Sequence, residues 1–156
     1  MQKFTPCLWF DNNAEEAIDY YLSVFKNGKV VSKRYYDDDS PMAGVLLVAT
    51  ISLDGQEFVL LNGGPVFHFT EAISFVIDCA DQQEVDYYWN KLIADGGEPS
   101  MCGWLKDKYG LSWQVTPRIL LTYMNDSDKA KAARVMAAMM KMSKIEIPAI
   151  EAAYAG

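Results

Sequence analysis

The sequence predicts an α+β fold: two tandem βαβββ modules that form a curved mixed sheet with a cleft, followed by C-terminal helices. The leading observation is an internal repeat, because an apolar helix face recurs 67 residues later, as from Ile18 to Val85. A β-prone run precedes each copy of this face, and further β-prone runs follow it. Strands, helix caps and glycines recur together, so duplication explains the pattern better than chance does. The matched apolar positions are Ile18, Tyr21, Leu22 and Phe25 in the first copy and Val85, Tyr88, Trp89 and Leu92 in the second.

The first module reads as strand, helix and three strands. Its helix is preceded by a capping residue, Asn12 or Asn13, and ends near Gly28. Asp54-Gly55 is a strong two-residue hairpin signal between the last two strands. The strands are predicted at 4–10, 29–36, 44–53 and 56–62.

The second module repeats this order in a shorter form. Asp81 is the candidate cap of its helix, which ends near Gly96-Gly97. Its strands are predicted at 72–79, 100–105 and 111–116. The predicted organisation is therefore a first module at 1–62, a connector at 63–71, a second module at 72–117 and a helical extension at 118–156, in one compact domain.

The extension lies outside the repeat. Pro117 ends the last strand, and a helix is predicted from Ser127 or Asp128 to Met142. Four of the eight methionines lie at 136–142, which indicates helix packing or a subunit contact more strongly than an adaptable binding surface. Residues 144–147 alternate in polarity, and Pro148 suits the first turn of a last helix.

Composition limits the chemistry. A single histidine, His68, excludes His-rich metal sites. The three cysteines are scattered and odd in number, which favours a reduced, cytoplasmic location without disulfides. No signal peptide is apparent, and the longest apolar run, at 45–53, is far shorter than the roughly 18 residues that a membrane span needs.

The charge distribution argues against nucleic acid as a partner. The net charge is −7, and residues 1–100 carry 6 Lys and Arg against 16 Asp and Glu. Such an acidic body repels phosphate backbones, so neither nucleic-acid nor membrane binding is expected. The more basic tail is expected to pack near an acidic surface of its own chain or of a second subunit.

Several motifs along the chain are characteristic. They are Leu8-Trp9-Phe10-Asp11, Ala14-Glu15-Glu16-Ala17, Leu61-Asn62-Gly63-Gly64-Pro65, Cys102-Gly103-Trp104 and the segment from Asp107 to Pro117. These motifs resemble those of the vicinal oxygen chelate superfamily, which includes glyoxalases, bleomycin-resistance proteins and extradiol dioxygenases. The resemblance is closest to the PhnB-like branch, often labelled a 3-demethylubiquinone methyltransferase domain. It implies the paired βαβββ fold, a homodimer and a small-molecule ligand.

The resemblance also implies where a superfamily enzyme would hold a divalent metal, on the first and last strands of each module. These places fall at Cys7, Val59, Ser74 and Gln114, with Leu61 or Asn62 as alternatives to Val59. Such metals prefer imidazole and carboxylate ligands, so no metal and no other cofactor is expected. A methyltransferase would need a glycine-rich turn that opens a helix, and none is found.

The expected function is metal-free binding or sequestration of an apolar or aromatic small molecule in an uncharged cleft. The alternatives are an enzyme, either a metal-dependent isomerase or oxygenase with unusual ligands or the methyltransferase of the family label, and a purely structural or protein-binding role. Gln114 is given the ligand-facing register, so Trp113 should pack under the helices. Cys102 is a structural cysteine more than a nucleophile, because no histidine lies near it in sequence. The candidate cleft residues are Cys7, Trp9, Asn62, Ser74, Cys102, Trp104 and Gln114.

Overall fold

The computed structural model describes residues 2–156, so the first residue of the predicted 1–62 module lies outside the described part. The chain divides into two compact units, one ending at His68 and one beginning at Phe69. This division lies inside the connector predicted at 63–71. Each unit contains one four-stranded mixed sheet, as the predicted pair of βαβββ modules requires.

The first unit has the order β1 (Cys7–Phe10), α1 (Ala14–Val24), β2 (Lys29–Tyr35), β3 (Leu46–Leu53) and β4 (Gln56–Asn62). Its sheet has the strand order β1-β4-β3-β2, in which β1 and β4 run parallel and the other pairs antiparallel. The apolar face of α1, including Ile18 and Tyr21, is buried with alternate residues of β3 and β4. The β3–β4 hairpin turns at Asp54 and Gly55, both with positive φ, as the sequence predicts.

The second unit repeats the module with β5 (Ser74–Cys79), α2 (Gln82–Ile93), β6 (Glu98–Pro99), β7 (Trp104–Lys106) and β8 (Ser112–Pro117). The strand order is β5-β8-β7-β6, again with the first pair parallel. The apolar face of α2 packs against β7 and β8 and buries Val85, Trp89 and Leu92.

One predicted strand differs in the structure. The expected strand at 100–105 is replaced by β6 and β7, which lie on either side of a turn. Cys102 and Gly103 have φ values of 59° and 81°, and this left-handed backbone cannot continue a strand. The single β-prone run therefore becomes two short strands.

The extension folds into three helices: α3 (Arg118–Met124), α4 (Lys129–Met139) and α5 (Ile147–Ala155). Their small core contains Leu120, Val135, Ile145 and Ile150. Helix α3 was not expected; it begins directly after Pro117, and the sequence Ile-Leu-Leu-Thr-Tyr-Met carries no polar face that would have indicated it.

The predicted helix from Ser127 or Asp128 to Met142 is shorter than expected. Asp128 caps α4 by accepting hydrogen bonds from the amides of Ala130 and Lys131, and the helix ends at Met139. Pro148 lies in the first turn of α5, as predicted. Among the described residues, no helix is long and apolar enough to cross a membrane.

Candidate functional site

The clearest polar contact among the predicted site residues lies on the sheet of the second unit. The Gln114 amide donates a hydrogen bond from Nε2 to Ser74 Oγ over 2.9 Å. Ser74 is paired with Ser112 in the parallel β5–β8 register, and Gln114 is two residues further along β8. Residues two apart on a strand share a face, so Gln114 and Ser112 lie on one side of this sheet.

Trp104 and Lys106 extend the same face across β7. Trp104 is paired with Gln114 and Lys106 with Ser112 in the antiparallel β7–β8 register. The alternate residue Trp113 is buried on the other side, and its indole Nε1 donates a 2.9 Å hydrogen bond to Asp107 Oδ2. The predicted orientation of Trp113, under the helices, follows from this alternation. We call the side of this sheet that carries Gln114 the open face. It consists of the exposed Val76, the half-buried Ser74, Trp104, Lys106 and Gln114, and the buried Ser112.

Ser112 is a residue of this face that sequence reasoning missed. It is only 1% exposed, and its hydroxyl has no hydrogen-bond partner among residues 2–156. A buried hydroxyl without a partner is uncommon and marks a place where a water or a ligand group can bind. The signal was present in the sequence, because Ser112 precedes the predicted ligand residue Gln114 by two positions.

The charge on the open face is already balanced. The Lys106 ammonium lies 3.1 Å from Glu71 Oε1 and 3.4 Å from Glu98 Oε2. The hydrogen bond with Glu71 contributes most to raising the pKa of Lys106, and the bond with Glu98 adds to it. Two carboxylates beside one ammonium leave no excess of positive charge, so this face is unsuited to an anionic ligand.

In the first unit, Cys7 lies at the start of β1 beside Val59. The residue is exposed as a whole, but partial burial of its sulfur raises the pKa of the thiol. A raised pKa keeps the thiol protonated at neutral pH, which makes it a poor nucleophile and a poor metal ligand.

Trp9, two residues along β1, is held by the connector. Its indole Nε1 donates a 2.8 Å hydrogen bond to the Gly64 carbonyl. Phe67 packs edge-on against the indole, with ring centroids 4.9 Å apart. A Cβ on Gly63 would overlap the Trp9 ring, so only glycine allows this close approach. Trp9 therefore anchors the chain that leaves β4.

The Asn62 side chain has a structural role. The side chain is 4% exposed; its Oδ1 accepts a 2.9 Å hydrogen bond from the Ala14 amide, and its Nδ2 donates to the Leu46 carbonyl over 2.8 Å. It lies on the same side of β4 as the buried Leu60, where α1 packs. The structure thus places Asn62 on the opposite side of its sheet from Trp9, and its amide has partners in the protein.

Cys102 belongs to the turn that replaces the predicted strand. It is partly exposed, and its sulfur lies 3.8 Å from the Met140 sulfur. A thioether cannot act as a general base, so this contact does not activate the thiol. The backbone amide of Cys102 donates to the Met142 carbonyl over 2.8 Å, which gives the residue a structural role.

The sheet registers revise one of the four places at which the resemblance implies a divalent metal. Val76 pairs with Gln114 in the second unit, and its counterpart 67 residues earlier, Trp9, pairs with Leu61. The counterpart of Gln114 is therefore Leu61, one of the two alternatives, and not Val59. Val59 lies four residues after Gly55, as Gln114 lies four residues after Gly110, but this spacing does not give equivalent positions. The β3–β4 hairpin has three further residue pairs beyond Thr50–Val59, whereas the pairing of β7 with β8 ends at Lys106–Ser112.

The residues at these places do not fit a divalent metal. Cys7, Leu61, Ser74 and Gln114 supply no carboxylate and no imidazole, which are the usual ligands. Within residues 2–156, no three His, Cys, Asp or Glu side chains are grouped so that they could hold an ion. His68 is exposed at the end of the first unit and is not part of a strand.

Comparison with known proteins identifies relatives of the chain. The family model described as 3-demethylubiquinone-9 3-methyltransferase matches residues 2–116. A putative 3-demethylubiquinone-9 3-methyltransferase, the PhnB protein from Bacillus cereus, is 37% identical, with a TM-score of 0.68. The match covers 74% of this chain and 99% of that one. No curated protein matches the chain.

More distant structures share the fold. A Pseudomonas aeruginosa protein is 19% identical with a TM-score of 0.61, and the match covers 75% of this chain and 98% of that one. A glyoxylase/bleomycin resistance protein/dioxygenase domain from Frankia is 14% identical with a TM-score of 0.53, covering 75% and 91% respectively. The family model and the Bacillus relative show that the chain belongs to the PhnB-like family described as 3-demethylubiquinone-9 3-methyltransferase.

Proposed function

We propose that this protein binds an uncharged small molecule on the open face of its second module, without a metal. The observation that carries the proposal is the Gln114–Ser74 hydrogen bond with Trp104 beside it on the neighbouring strand. The amide of Gln114 and the hydroxyl of Ser74 can bind a carbonyl or hydroxyl group of the ligand, and the indole of Trp104 can cover a flat apolar part.

The balanced charges around Lys106 further limit the class of ligand that this face can bind. An anionic group would meet Glu71 and Glu98 as well as the ammonium, and a metal-chelating ligand would find no metal ligands in place. Binding or sequestration of a neutral, partly aromatic molecule fits these groups best. We further propose that the protein works as a homodimer, as the family resemblance implies. A reducing, cytoplasmic location is proposed because all three of its cysteines are free.

The second candidate is the methyl transfer that the name of the family describes. The Bacillus cereus relative carries that name as a putative assignment. In this chain, the connections from β1 to α1 and from β5 to α2 are Asp11-Asn12-Asn13 and Ala80-Asp81, which contain no glycine. A dinucleotide-like or adenosyl cofactor bound at a strand–helix turn generally requires glycines there, so the residues favour binding without methyl transfer.

A binding titration tests the proposal. We expect 2-naphthol, a neutral aromatic probe, to quench tryptophan fluorescence saturably, with equal affinity before and after treatment with EDTA. Gln114→Leu removes the amide at nearly constant volume and should weaken binding about fivefold, the effect of one ordinary hydrogen bond. Trp104→Ala should weaken it about tenfold, through lost aromatic contact.

The matched control is Gln56→Leu, since Gln56 is an exposed glutamine on β4 whose amide donates to the carbonyl of the next residue, Glu57. This variant should bind the probe as the unchanged protein does. Loss of binding after EDTA treatment, or an unchanged affinity in Gln114→Leu, would contradict the proposal. Heat of binding with S-adenosylmethionine in a calorimetric titration would support methyl transfer instead.

A further inference from the structure

The C-terminal extension contacts the turn that leads into Trp104, although it lies outside the family's common part. The family model ends at residue 116, which leaves the last 40 of the 156 residues beyond it. We propose that residues 142–145 of this extension position Trp104 on the open face and thereby shape the ligand site. The inference rests on the proposed function in so far as the open face is that site.

Two consecutive backbone hydrogen bonds join the extension to the turn. The Cys102 amide donates to the Met142 carbonyl over 2.8 Å, and the Gly103 amide donates to the Ser143 carbonyl over 2.7 Å. The hydroxyl of Ser143 also donates to the carbonyl of Ser100. Residues 142 and 143 therefore bind both consecutive amides of the turn.

These bonds hold an unfavourable backbone conformation in place. Cys102 has a φ of 59°, in the left-handed region that a residue with a side chain seldom adopts. Such conformations persist where the surroundings determine them. At the amides of Cys102 and Gly103, the carbonyls of Met142 and Ser143 provide such surroundings.

The turn at Cys102 and Gly103 also sets the position of Trp104. The Trp104 amide donates to the Met101 carbonyl over 3.0 Å, and the Ser100 amide donates to the Trp104 carbonyl over 2.9 Å. The next contact leads to β8, where the Val115 amide donates to the Gly103 carbonyl over 2.8 Å. Trp104 thus comes directly after a turn that the extension binds, and it is paired with Gln114 on the neighbouring strand β8.

Side-chain packing reinforces the contact. Ile145 is fully buried, and a Cβ added to Gly103 would lie 3.2 Å from Ile145 Cγ1 and 2.9 Å from the Val115 carbonyl oxygen. The Ile145 side chain therefore packs tightly against the backbone of Gly103, and only glycine leaves enough space there.

The other side of the segment is fixed to α2. The Gln82 amide donates from Nε2 to the Ile145 carbonyl over 3.1 Å, and Gln82 Oε1 accepts from the Ile147 amide over 2.7 Å. The Lys144 ammonium forms an ion pair with Asp86, also on α2. Residues 142–145 consequently link the helix of the second module to the start of β7.

The test compares substitutions in the full-length protein without any ligand. Ser143→Ala removes the bond to Ser100, and we expect the amides of residues 102–104 to exchange hydrogen about fivefold faster, with a shifted indole resonance of Trp104. Ser143→Thr retains a hydroxyl and should therefore show the amide exchange rates and the Trp104 indole resonance of the unchanged protein. Ser127→Ala is the matched control in the same extension, since the Ser127 hydroxyl donates to its neighbour Asp126. Trp104→Phe identifies the resonance.

A second variant keeps the inference testable if one hydroxyl proves insufficient. Ile145→Val shortens the side chain that packs against Gly103 and should shift the same resonance. If Ser143→Ala and Ile145→Val change the urea midpoint but leave the Trp104 resonance and the amide exchange at 102–104 unchanged, the extension has only a stabilising role and the inference is wrong. Because no ligand is present, failure here is distinct from failure of the proposed function, which the naphthol titration measures.

Discussion

At the scale of single residues, one side chain can serve the fold or a ligand, and its partners decide which. The sequence predicts both Asn62 and Gln114 as residues of the ligand cleft. The Asn62 amide is buried and joins the start of α1 to β3. The Gln114 amide is partly exposed and bonds to another side chain, Ser74, on the open face. The same chemical group therefore has different roles in the two modules.

This difference leads to a stability prediction for Asn62. Asn62→Leu would leave the Ala14 amide and the Leu46 carbonyl buried without partners, so we expect the free energy of unfolding to fall by about 3 kcal/mol. Urea denaturation followed by circular dichroism measures this change. Asn27→Leu is the control, because the Asn27 amide contacts Asp54 at the surface; it should change stability by less than about 0.5 kcal/mol. A loss below about 1 kcal/mol for Asn62→Leu would contradict the structural role.

At the scale of elements, the two repeated helices begin in different ways. Asp81 caps α2 by accepting a 2.9 Å hydrogen bond from the Glu84 amide, and Glu84 Oε2 accepts from the Ala80 amide over 2.7 Å. Asn13, the N-cap residue of α1, makes no capping hydrogen bond with its side chain. Asn62 binds the first amide of that helix from the neighbouring strand β4 instead.

We therefore expect the two cap positions to respond unequally to alanine. Asp81→Ala should lower the free energy of unfolding by about 1 kcal/mol, the usual effect of losing an N-cap. Asn13→Ala should change it by less than about 0.5 kcal/mol, because the Asn13 oxygen is buried without a partner and no bond is lost. Urea denaturation of both variants makes the comparison, and equal losses would show that Asn13 caps α1 after all.

The elements also show where sequence patterns fail. The helical periods of α1 and α2 and the Asp54-Gly55 hairpin are local properties, and they were predicted correctly. The strand expected at 100–105 depended on β-prone composition, but the bonds from Met142 and Ser143 favour a left-handed turn there. Contacts between residues about 40 positions apart are not visible in a local pattern.

At the scale of the whole molecule, a buried thiol connects stability to pH. Burial is the main cause that raises the pKa of Cys79 to about 12 from its usual 9.0, and the nearby carboxylates of Glu84, Asp78 and Asp81 add to it. The folded protein keeps this proton at pH values where the unfolded chain loses it. The contribution to stability is therefore complete below about pH 9 and is lost as the pH rises towards 12.

We expect Cys79 to lower the free energy of unfolding by about 1.4 kcal/mol per pH unit within that range. Urea denaturation between pH 8 and about 10.5 measures the slope, and the difference from Cys79→Ala isolates this thiol from tyrosines and lysines that titrate in both proteins. Cys7→Ala is the control and should keep most of the slope, since Cys7 is exposed. Equal slopes in the unchanged protein and in Cys79→Ala would contradict the prediction.

The sequence by itself determined the duplicated module, the family and the poverty of metal ligands, because apolar periodicity, turn residues and donor types are properties of the chain in order. Only the tertiary structure decided how those residues are used. Strand register made Leu61 the counterpart of Gln114, and alternation placed Ser112 on its face and Asn62 towards α1. It also brought residues 142–145 against the turn before Trp104. Register and distant contacts arise from packing between elements, so they become visible only when the chain is folded.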